Sequence, residues 1–197
     1  MKLLGRKTSG NVQKVLFLLE ELKLPYERED YGRQFNNTQT PEYLSQNPNA
    51  KVPTLVDGEV IIWESNTILR YLANKAKSDL YPTDPARRTH VERWMDWQLA
   101  SLNNPYLAMF REAKLEPAKR SADFAAQQKD FGAQLSILDK AMGKWVAGDK
   151  MTIADICLGP IAYRCLRFGV ELPQLPNLKR WDEAISSREA FKKATAA

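Results

Sequence analysis

Hydroxyl and amide side chains lie close together in the sequence at two predicted helix starts. At these places they could hold an anion. Thr8, Ser9 and Asn11 lie in a turn that follows the first apolar segment and precedes apolar residues at helical spacing. Ser65 follows Glu64 directly before a second such run. The first turn of a helix offers unpaired N–H groups and the positive end of the helix dipole, so a hydroxyl there can help to hold a negatively charged group. A serine at either place could instead be an ordinary helix cap.

Few residues are available for other kinds of catalysis. The chain has two cysteines, Cys157 and Cys165, and a single histidine, His90. Two cysteines cannot build a disulfide scaffold or supply a zinc site alone. With a single histidine in the chain, most catalytic triads that depend on histidine are also excluded. The cysteines lie in a predicted buried helix, so we expect two core thiols and no metal.

The composition is that of an ordinary folded protein. Its 197 residues allow one domain or two small ones, and 44% hydrophobic with 27% charged residues is close to the globular average. The net charge of +5 comes without a basic block, which argues against a nucleic-acid partner. The N-terminus lacks a signal-peptide pattern, and no stretch approaches a membrane span. We therefore expect a cytoplasmic protein with reduced thiols and no membrane partner.

The first third of the chain begins with a βαβ pattern. Residues 1–5 form a short apolar strand, and the apolar positions within 12–22 predict a helix. Pro25 ends this helix, and the alternation of aromatic and charged residues in 26–31 predicts a second strand. Strand, helix and strand in this order indicate a parallel pair joined by a crossover helix.

A ββα pattern follows. Asp57 and Gly58 separate two apolar runs, 52–56 and 59–63, which predicts a hairpin with a type I′ turn. We interpret the second run as a central strand. Residues 64–72 then begin with a capping residue and continue with helical spacing, so a helix completes the unit.

The remainder of the chain is predicted to be helical. A linker at 81–85 precedes four segments with helical periodicity, which are 84–115, 117–144, 152–167 and 177–194. The pattern therefore predicts an α/β domain over residues 1–78 and an all-α domain over residues 84–197.

Three motifs, in this order and spacing, resemble those of the glutathione transferase family, in particular its serine-type classes, similar to theta and phi, and their bacterial relatives. They are Ser9–Val15 (SGNVQKV), Lys51–Pro53 (KVP) and Glu64–Leu69 (ESNTIL). A fourth segment, Thr152–Asp155, resembles the helix-capping box of the family's second domain and concerns folding only.

The resemblance implies a thioredoxin-like first domain, a helical-bundle second domain and a homodimer. Glutathione would bind across the first domain as a co-substrate, with no cofactor and no metal. Ser9 would face the glutathione sulfur and stabilise its thiolate. Thr8 and Asn11 stay open as alternatives for that contact.

The resemblance also assigns the amino end of the tripeptide. Ser65 would hold the γ-glutamyl carboxylate, and Glu64 would pair with the γ-glutamyl ammonium. Pro53 is similar to the family's cis-proline, which turns the backbone of Val52 toward the cysteinyl residue. Because Glu64 follows a strand that we interpret as central, its carboxylate would need a cationic partner if buried.

The glycyl end is assigned less directly. Lys51 would meet the glycyl carboxylate, and a solvated surface lysine is the alternative. Where serine-type relatives often have a histidine three residues before a helix-starting proline, this chain has Thr38 before Pro41. Thr38 or Gln39 could form a hydrogen bond with the glycyl end instead.

The helical domain would supply the pocket for the second substrate. Asn103, Tyr106, Phe110 and Arg111 are the residues that we expect to line an apolar pocket for an electrophile. Most of the other aromatic residues nearby are expected to pack in the core.

The resemblance implies a cytoplasmic glutathione S-transferase, of the kind that serves detoxification, whose bound thiolate attacks small hydrophobic electrophiles. Residues 1–80 contain no cysteine, which argues against members that use an enzyme thiol. Two alternatives stay open. One is a glutathione-dependent disulfide reductase or peroxidase without a protein cysteine, and the other is a non-catalytic binding protein on the same fold.

Overall fold

A computed structural model describes residues 1–196 of the chain. It divides into two compact units. The first contains Met1–Tyr81 together with the segment from Ser187 onward, and the second is Pro82–Ser186. The C-terminal segment therefore groups with the first unit, whereas the sequence placed it in the helical domain.

The first unit is built on a four-stranded sheet with the order β2-β1-β3-β4. The strands are β1 Lys2–Leu4, β2 Glu27–Glu29, β3 Thr54–Asp57 and β4 Val60–Trp63. β1 pairs with β2 in parallel, and β3 is antiparallel to both β1 and β4. The α-helices of this unit are α1 Gly10–Glu21, α2 Pro41–Gln46, α3 Ser65–Lys75 and α9 Glu189–Thr195. This arrangement confirms the predicted α/β fold of the first part of the chain.

The β3–β4 hairpin forms as predicted, but its turn lies one residue later. Asp57 pairs with Val60, so the central residues are Gly58 and Glu59. Gly58 has φ +63°, and Glu59 does not share a positive φ. A glycine with positive φ at the first central position alone is typical of a type II′ turn, so the predicted type I′ turn is wrong.

The interpretation of β4 as a central strand is also wrong. The strand order places β4 at an edge, and Val60, Ile61 and Trp63 are 45%, 43% and 38% exposed. β1 and β3 occupy the centre of the sheet, and Leu3 and Leu55 are fully buried there. An apolar run alone does not distinguish a buried strand from an edge strand.

The C-terminal helix α9 packs against α1. Phe17 and Phe191 meet edge to face, with ring centroids 5.4 Å apart, and both are buried. Arg188 also forms an ion pair with Glu21 at the end of α1. The predicted helix 177–194 is therefore two helices, because the chain turns between Ser186 and Glu189 to bring α9 to the first unit.

The second unit is helical, as predicted. Its α-helices are α4 Pro85–Trp97, α5 Asn103–Glu112, α6 Phe124–Ala141, α7 Ile153–Cys165 and α8 Pro176–Ser186. A π-helical segment, Gln98–Leu102, interrupts the predicted helix 84–115 and separates α4 from α5. Asp84 caps α4 by accepting a hydrogen bond from the backbone N–H of Arg87, at 2.8 Å. The predicted two-part fold class is thus confirmed in both units.

The capping box at the start of α7 is the polar centre of the second unit. The carboxylate of Asp155 is fully buried and accepts hydrogen bonds from the backbone N–H groups of Val146 and Thr152, the Thr152 hydroxyl and the Trp181 indole. Burial raises the pKa of Asp155, and these four donors oppose the rise. The capping box confirms the folding role predicted for Thr152 and Asp155, and it extends to α8 through Trp181.

We expect Asp155→Ala to lower the free energy of unfolding by about 3 kcal/mol or more, because it leaves several buried donors without an acceptor. Denaturant unfolding measures this change. Asp149→Ala, at an exposed acid nearby, is the matched control and should change the free energy by less than about 0.5 kcal/mol. Equal effects of the two substitutions would contradict a structural role for the buried carboxylate.

Candidate functional site

Ser9 stands at the N-terminal end of α1 with its hydroxyl unused for capping. Its backbone is extended, at φ −82° and ψ 124°, and its side chain makes no capping hydrogen bond. The Ser9 carbonyl accepts from the Gln13 N–H at 2.9 Å, so the backbone alone begins the helix. The residue is 8% exposed. The alternative that Ser9 serves only as a helix cap is therefore not supported.

A side-chain contact brings the starts of α1 and α3 together. The Ser65 hydroxyl lies 3.4 Å from Asn11 Oδ1, to which it donates a hydrogen bond. Asn11 is exposed, whereas Ser65 is 3% exposed. Two helix N-termini, each with backbone N–H groups that the helix itself does not satisfy, thus lie side by side in the first unit. Thr8 is exposed on the approach to the same end of α1.

A buried lysine makes a second link between the two helices. Lys14, one turn further along α1, is fully buried, and its Nζ atom lies 3.4 Å from Asn66 Oδ1. Asn66 directly follows Ser65 and is 2% exposed. Lys14 belongs to the motif Ser9–Val15, but helical spacing alone does not show which residue a lysine at this position contacts.

Glu64 immediately precedes α3 in a strained backbone conformation. Its φ of +67° and ψ of 113° lie in a region that residues with a side chain rarely adopt, at a cost of about 1–3 kcal/mol. The side chain is exposed, and its Oε1 accepts from Asn49 Nδ2 at 3.3 Å. Because Glu64 is exposed, its carboxylate does not need the cationic partner that was expected for a buried one. The strain instead marks this turn as one that the surrounding structure fixes.

The Val52–Pro53 peptide bond is cis, as the resemblance implied. Val52 is half-buried and Pro53 is buried, while the Lys51 side chain is exposed. Of the other residues predicted near the glycyl end, Thr38 is half-buried and Gln39 is exposed. The structure places these residues in the segments before α2 and before β3, and their predicted contacts with a ligand stay predictions.

A buried polar network holds the segment that contains Val52. The Lys51 carbonyl accepts from the Tyr43 hydroxyl at 2.7 Å and from Asn47 Nδ2 at 2.8 Å. Both groups also contact the Thr54 hydroxyl at 2.9 Å. Burial raises the pKa of Tyr43, against the effect of its bonds with Thr54 and Asn47, so the phenol keeps the proton that it donates.

Sequence reasoning missed this network. Tyr43, Asn47 and Thr54 carry ordinary polar groups, and only their burial at 1%, 2% and 0% exposure shows that they act together. The signal available in the sequence was weak, because nothing in the spacing links a tyrosine in α2 to a carbonyl eight residues later.

The residues predicted to line an apolar pocket lie on α5 in the second unit. Tyr106 is 6% exposed and packs against Phe110 and Phe168, with ring centroids 6.1 and 5.7 Å away. Phe110 is 37% exposed and Arg111 is exposed, while Asn103 is half-buried. Tyr106 is therefore mainly a core residue of this unit, whereas Phe110 and Arg111 present surface to solvent.

The two cysteines are core thiols, as predicted. Cys157 and Cys165 are both fully buried, and neither forms a disulfide bond within the described residues. Burial raises the pKa of the Cys165 thiol, which keeps it protonated and unreactive. Within residues 1–196, no group of three or more His, Cys, Asp or Glu side chains is placed to hold a metal ion. The same part of the chain has no helix with the length and apolar character needed to cross a membrane.

The family models and the relatives that match this chain all belong to one protein family. The family model described as the glutathione S-transferase N-terminal domain matches residues 1–74, and that of the C-terminal domain matches residues 102–189. The chain is 38% identical over 196 residues to glutathione S-transferase GstB of Escherichia coli strain K12, covering 96% of this chain and 94% of that protein. It is 32% identical to glutathione S-transferase 3 of Zea mays, covering 100% of this chain and 94% of the relative.

Among solved structures, one similar protein is the theta class glutathione S-transferase of Xanthomonas axonopodis pv. citri with glutathione bound. The TM-score is 0.93 at 34% identity, covering 100% of this chain and 97% of the other. Both halves of the chain match, and the relatives are matched over nearly their whole length. The chain therefore belongs to the glutathione S-transferase family.

Proposed function

We propose that this chain is a glutathione S-transferase that binds glutathione at the adjoining N-termini of α1 and α3 and holds its thiol in the anionic form. The observation that carries this proposal is the pairing of those helix ends through Ser65 and Asn11, beside a Ser9 hydroxyl that makes no capping bond. Two such ends offer anion sites for a ligand with a carboxylate at one position and a thiolate at another.

The chemical task is to ionise a weak acid. A free thiol with a pKa near 8.5 is only about 3% ionised at pH 7, and the thiolate is the nucleophile. A pKa lowered by about two units requires about 2.7 kcal/mol of differential stabilisation. One charge-assisted hydrogen bond from Ser9 and the positive end of α1 are together of that size. The thiolate then forms a carbon–sulfur bond with the electrophile, and the leaving group departs with its electron pair.

The remaining contacts fix the tripeptide along the first unit. Ser65, with the N–H groups of α3, would bind the γ-glutamyl carboxylate, and Glu64 would bind the ammonium. The Val52 backbone would pair with the cysteinyl residue, and the Tyr43 hydroxyl that holds the neighbouring carbonyl supports this orientation. Lys51, Thr38 and Gln39 would meet the glycyl end; the exposure of Lys51 and Gln39 suits a carboxylate at the surface.

The second substrate is proposed to be a small hydrophobic electrophile. Phe110 and Arg111 expose surface on α5 and could contact it, and Asn103 is partly accessible. Tyr106 offers little surface for such a contact, because its ring is buried in an aromatic cluster. No cofactor is proposed. The cytoplasmic location and a role in detoxification stay predictions.

Homodimer formation also stays a prediction, and the edge strand β4 supports it. Val60, Ile61 and Trp63 expose an apolar surface on a strand with an unpaired edge, which proteins usually cover. Sedimentation at micromolar concentration that finds only the 22.5 kDa chain would contradict a dimer.

Replacement of the Ser9 hydroxyl tests the proposed mechanism. We expect Ser9→Ala to raise the pKa of enzyme-bound glutathione by about one to two units, because one hydrogen bond to the thiolate is lost. Ultraviolet absorbance of the bound thiolate, titrated against pH, measures this pKa. Thr8→Val removes a neighbouring hydroxyl at nearly constant volume and serves as the matched control.

A raised pKa in Thr8→Val or Asn11→Ala, with none in Ser9→Ala, would move the thiol contact to the residue concerned. A bound thiol with the pKa of free glutathione in the unsubstituted protein would contradict thiolate stabilisation altogether. Parallel assays with an aryl halide and a small disulfide would then separate transfer from disulfide reduction.

The role of Glu64 is tested with a pair of ligands. We expect Glu64→Gln to weaken glutathione binding about five- to tenfold, because the ammonium loses its charged partner. Binding of an analogue that lacks the γ-glutamyl ammonium should change by less than about twofold. Glu59→Gln, at an exposed glutamate in the turn between β3 and β4, is the control. Isothermal titration calorimetry measures the affinity for both ligands. Equal losses of affinity for glutathione and for the analogue in Glu64→Gln would contradict an ammonium contact.

A further inference from the structure

The segment between β2 and α2 has an unusual backbone. It consists of residues 30–40, and we call it the 30–40 loop. Three of its residues have positive φ, namely Gly32 at +86°, Arg33 at +46° and Asn36 at +47°. Residues with a side chain rarely adopt such angles, and a backbone of this kind persists only where its surroundings hold it. The 30–40 loop therefore needs contacts that fix its shape.

The side chain of Asn37 supplies two of these contacts. Its Oδ1 atom accepts a hydrogen bond from the Gly32 N–H at 3.0 Å, and its Nδ2 atom donates to the Asp30 carbonyl at 3.0 Å. Asn37 is half-buried. One amide group thus joins the later part of the 30–40 loop to its beginning beside β2.

Gly32 places the 30–40 loop against the segment that contains Val52. A Cβ atom at position 32 would lie 3.4 Å from Val52 Cγ1 and 2.9 Å from Arg6 Nη1. With φ +86° and so little space, this position requires a glycine. The residue whose N–H binds Asn37 therefore packs beside the backbone that is proposed to pair with the cysteinyl residue.

Both ends of the 30–40 loop are anchored to the first unit. At its beginning, the Tyr31 carbonyl accepts a hydrogen bond from the Arg6 N–H at 3.2 Å. At its end, the Thr40 hydroxyl caps α2 by accepting from the Tyr43 N–H at 3.3 Å. Asn37 lies between these anchors, so its two hydrogen bonds set the course of the chain there.

We propose that Asn37 is a positioning residue, which holds Thr38 and Gln39 where they can meet the glycyl carboxylate and so makes the site prefer glutathione to a peptide without glycine. Thr38 and Gln39 directly follow Asn37 in the chain. Because Asn37 orders the 30–40 loop before the ligand arrives, little conformational freedom is lost when the glycyl end binds. This inference rests on the proposed function and adds the residue that decides how the site recognises the glycyl end.

The test compares glutathione with γ-glutamylcysteine amide, which lacks only the glycyl carboxymethyl group. Isothermal titration calorimetry gives the affinity for each peptide. We expect the unsubstituted protein to prefer glutathione about tenfold, because only glutathione brings a carboxylate to the 30–40 loop. Asn37→Ala should reduce this preference to about twofold or less, since the loop loses two hydrogen bonds that hold it. The affinity for γ-glutamylcysteine amide should stay nearly unchanged.

Gln34→Ala is the matched control because Gln34 is an exposed amide residue of the same loop. This variant should keep the full preference for glutathione. Equal losses of affinity for the two peptides in Asn37→Ala would show that Asn37 supports the whole site and would overturn the inference. An unchanged preference in Asn37→Ala would overturn it as well.

A combined variant separates positioning from direct contact. Thr38→Val together with Gln39→Ala removes the two side chains that are proposed to meet the glycyl carboxylate. If Asn37 acts through them, adding Asn37→Ala should change the remaining preference by less than about twofold. A further loss as large as in the single variant would show that Asn37 acts by itself and would contradict a positioning role.

Hydrogen exchange in the unsubstituted protein provides a test that needs no variant. At saturation, glutathione should slow exchange of the N–H groups in the 30–40 loop at least about threefold more than γ-glutamylcysteine amide does. If the two peptides bind equally well and protect the loop equally, glutathione binding stands and the inference about Asn37 fails. If neither peptide binds, the proposed function fails and the inference fails with it.

Discussion

The hydrogen bond between Ser65 and Asn11 is the contact on which the proposed site depends, because it joins the N-terminal ends of two helices that are 54 residues apart in sequence. Each end has N–H groups that the helix cannot satisfy internally. Side by side, they form one surface suited to a ligand with more than one negative group. The fully buried Lys14, which reaches Asn66, connects the same helices one turn deeper and holds this arrangement in place.

The other elements of the first unit fix the backbone before β3 and the position of α1 itself. Tyr43 and Asn47 fix the Lys51 carbonyl, and so the course of the chain into β3. Toward the C-terminal end of α1, Phe191 of the C-terminal segment packs against Phe17, and Arg188 forms an ion pair with Glu21. The end of the chain thus supports the helix whose beginning carries Ser9, which explains why α9 groups with the first unit.

The sequence predicted the two-part fold and most element positions because apolar periodicity and capping residues are local signals. It also predicted the capping box, since Thr152 and Asp155 are only three residues apart. It did not predict the π segment at Gln98–Leu102, the turn before α9 or the edge position of β4, which depend on tertiary packing. For the same reason, the motifs indicated Ser9 and Ser65, but spacing could not show which groups they contact.

The central claim is that the neutral donors at the start of α1 hold glutathione as its thiolate, and proton release on binding tests it most directly. Calorimetry at pH 7, repeated in buffers of different ionisation enthalpy, counts the protons released. A thiol pKa lowered by about two units corresponds to release of about 0.7 proton per glutathione, and S-methylglutathione, which has no thiol proton, should release almost none. Equal release by the two ligands would show that glutathione binds as the neutral thiol and would contradict the claim.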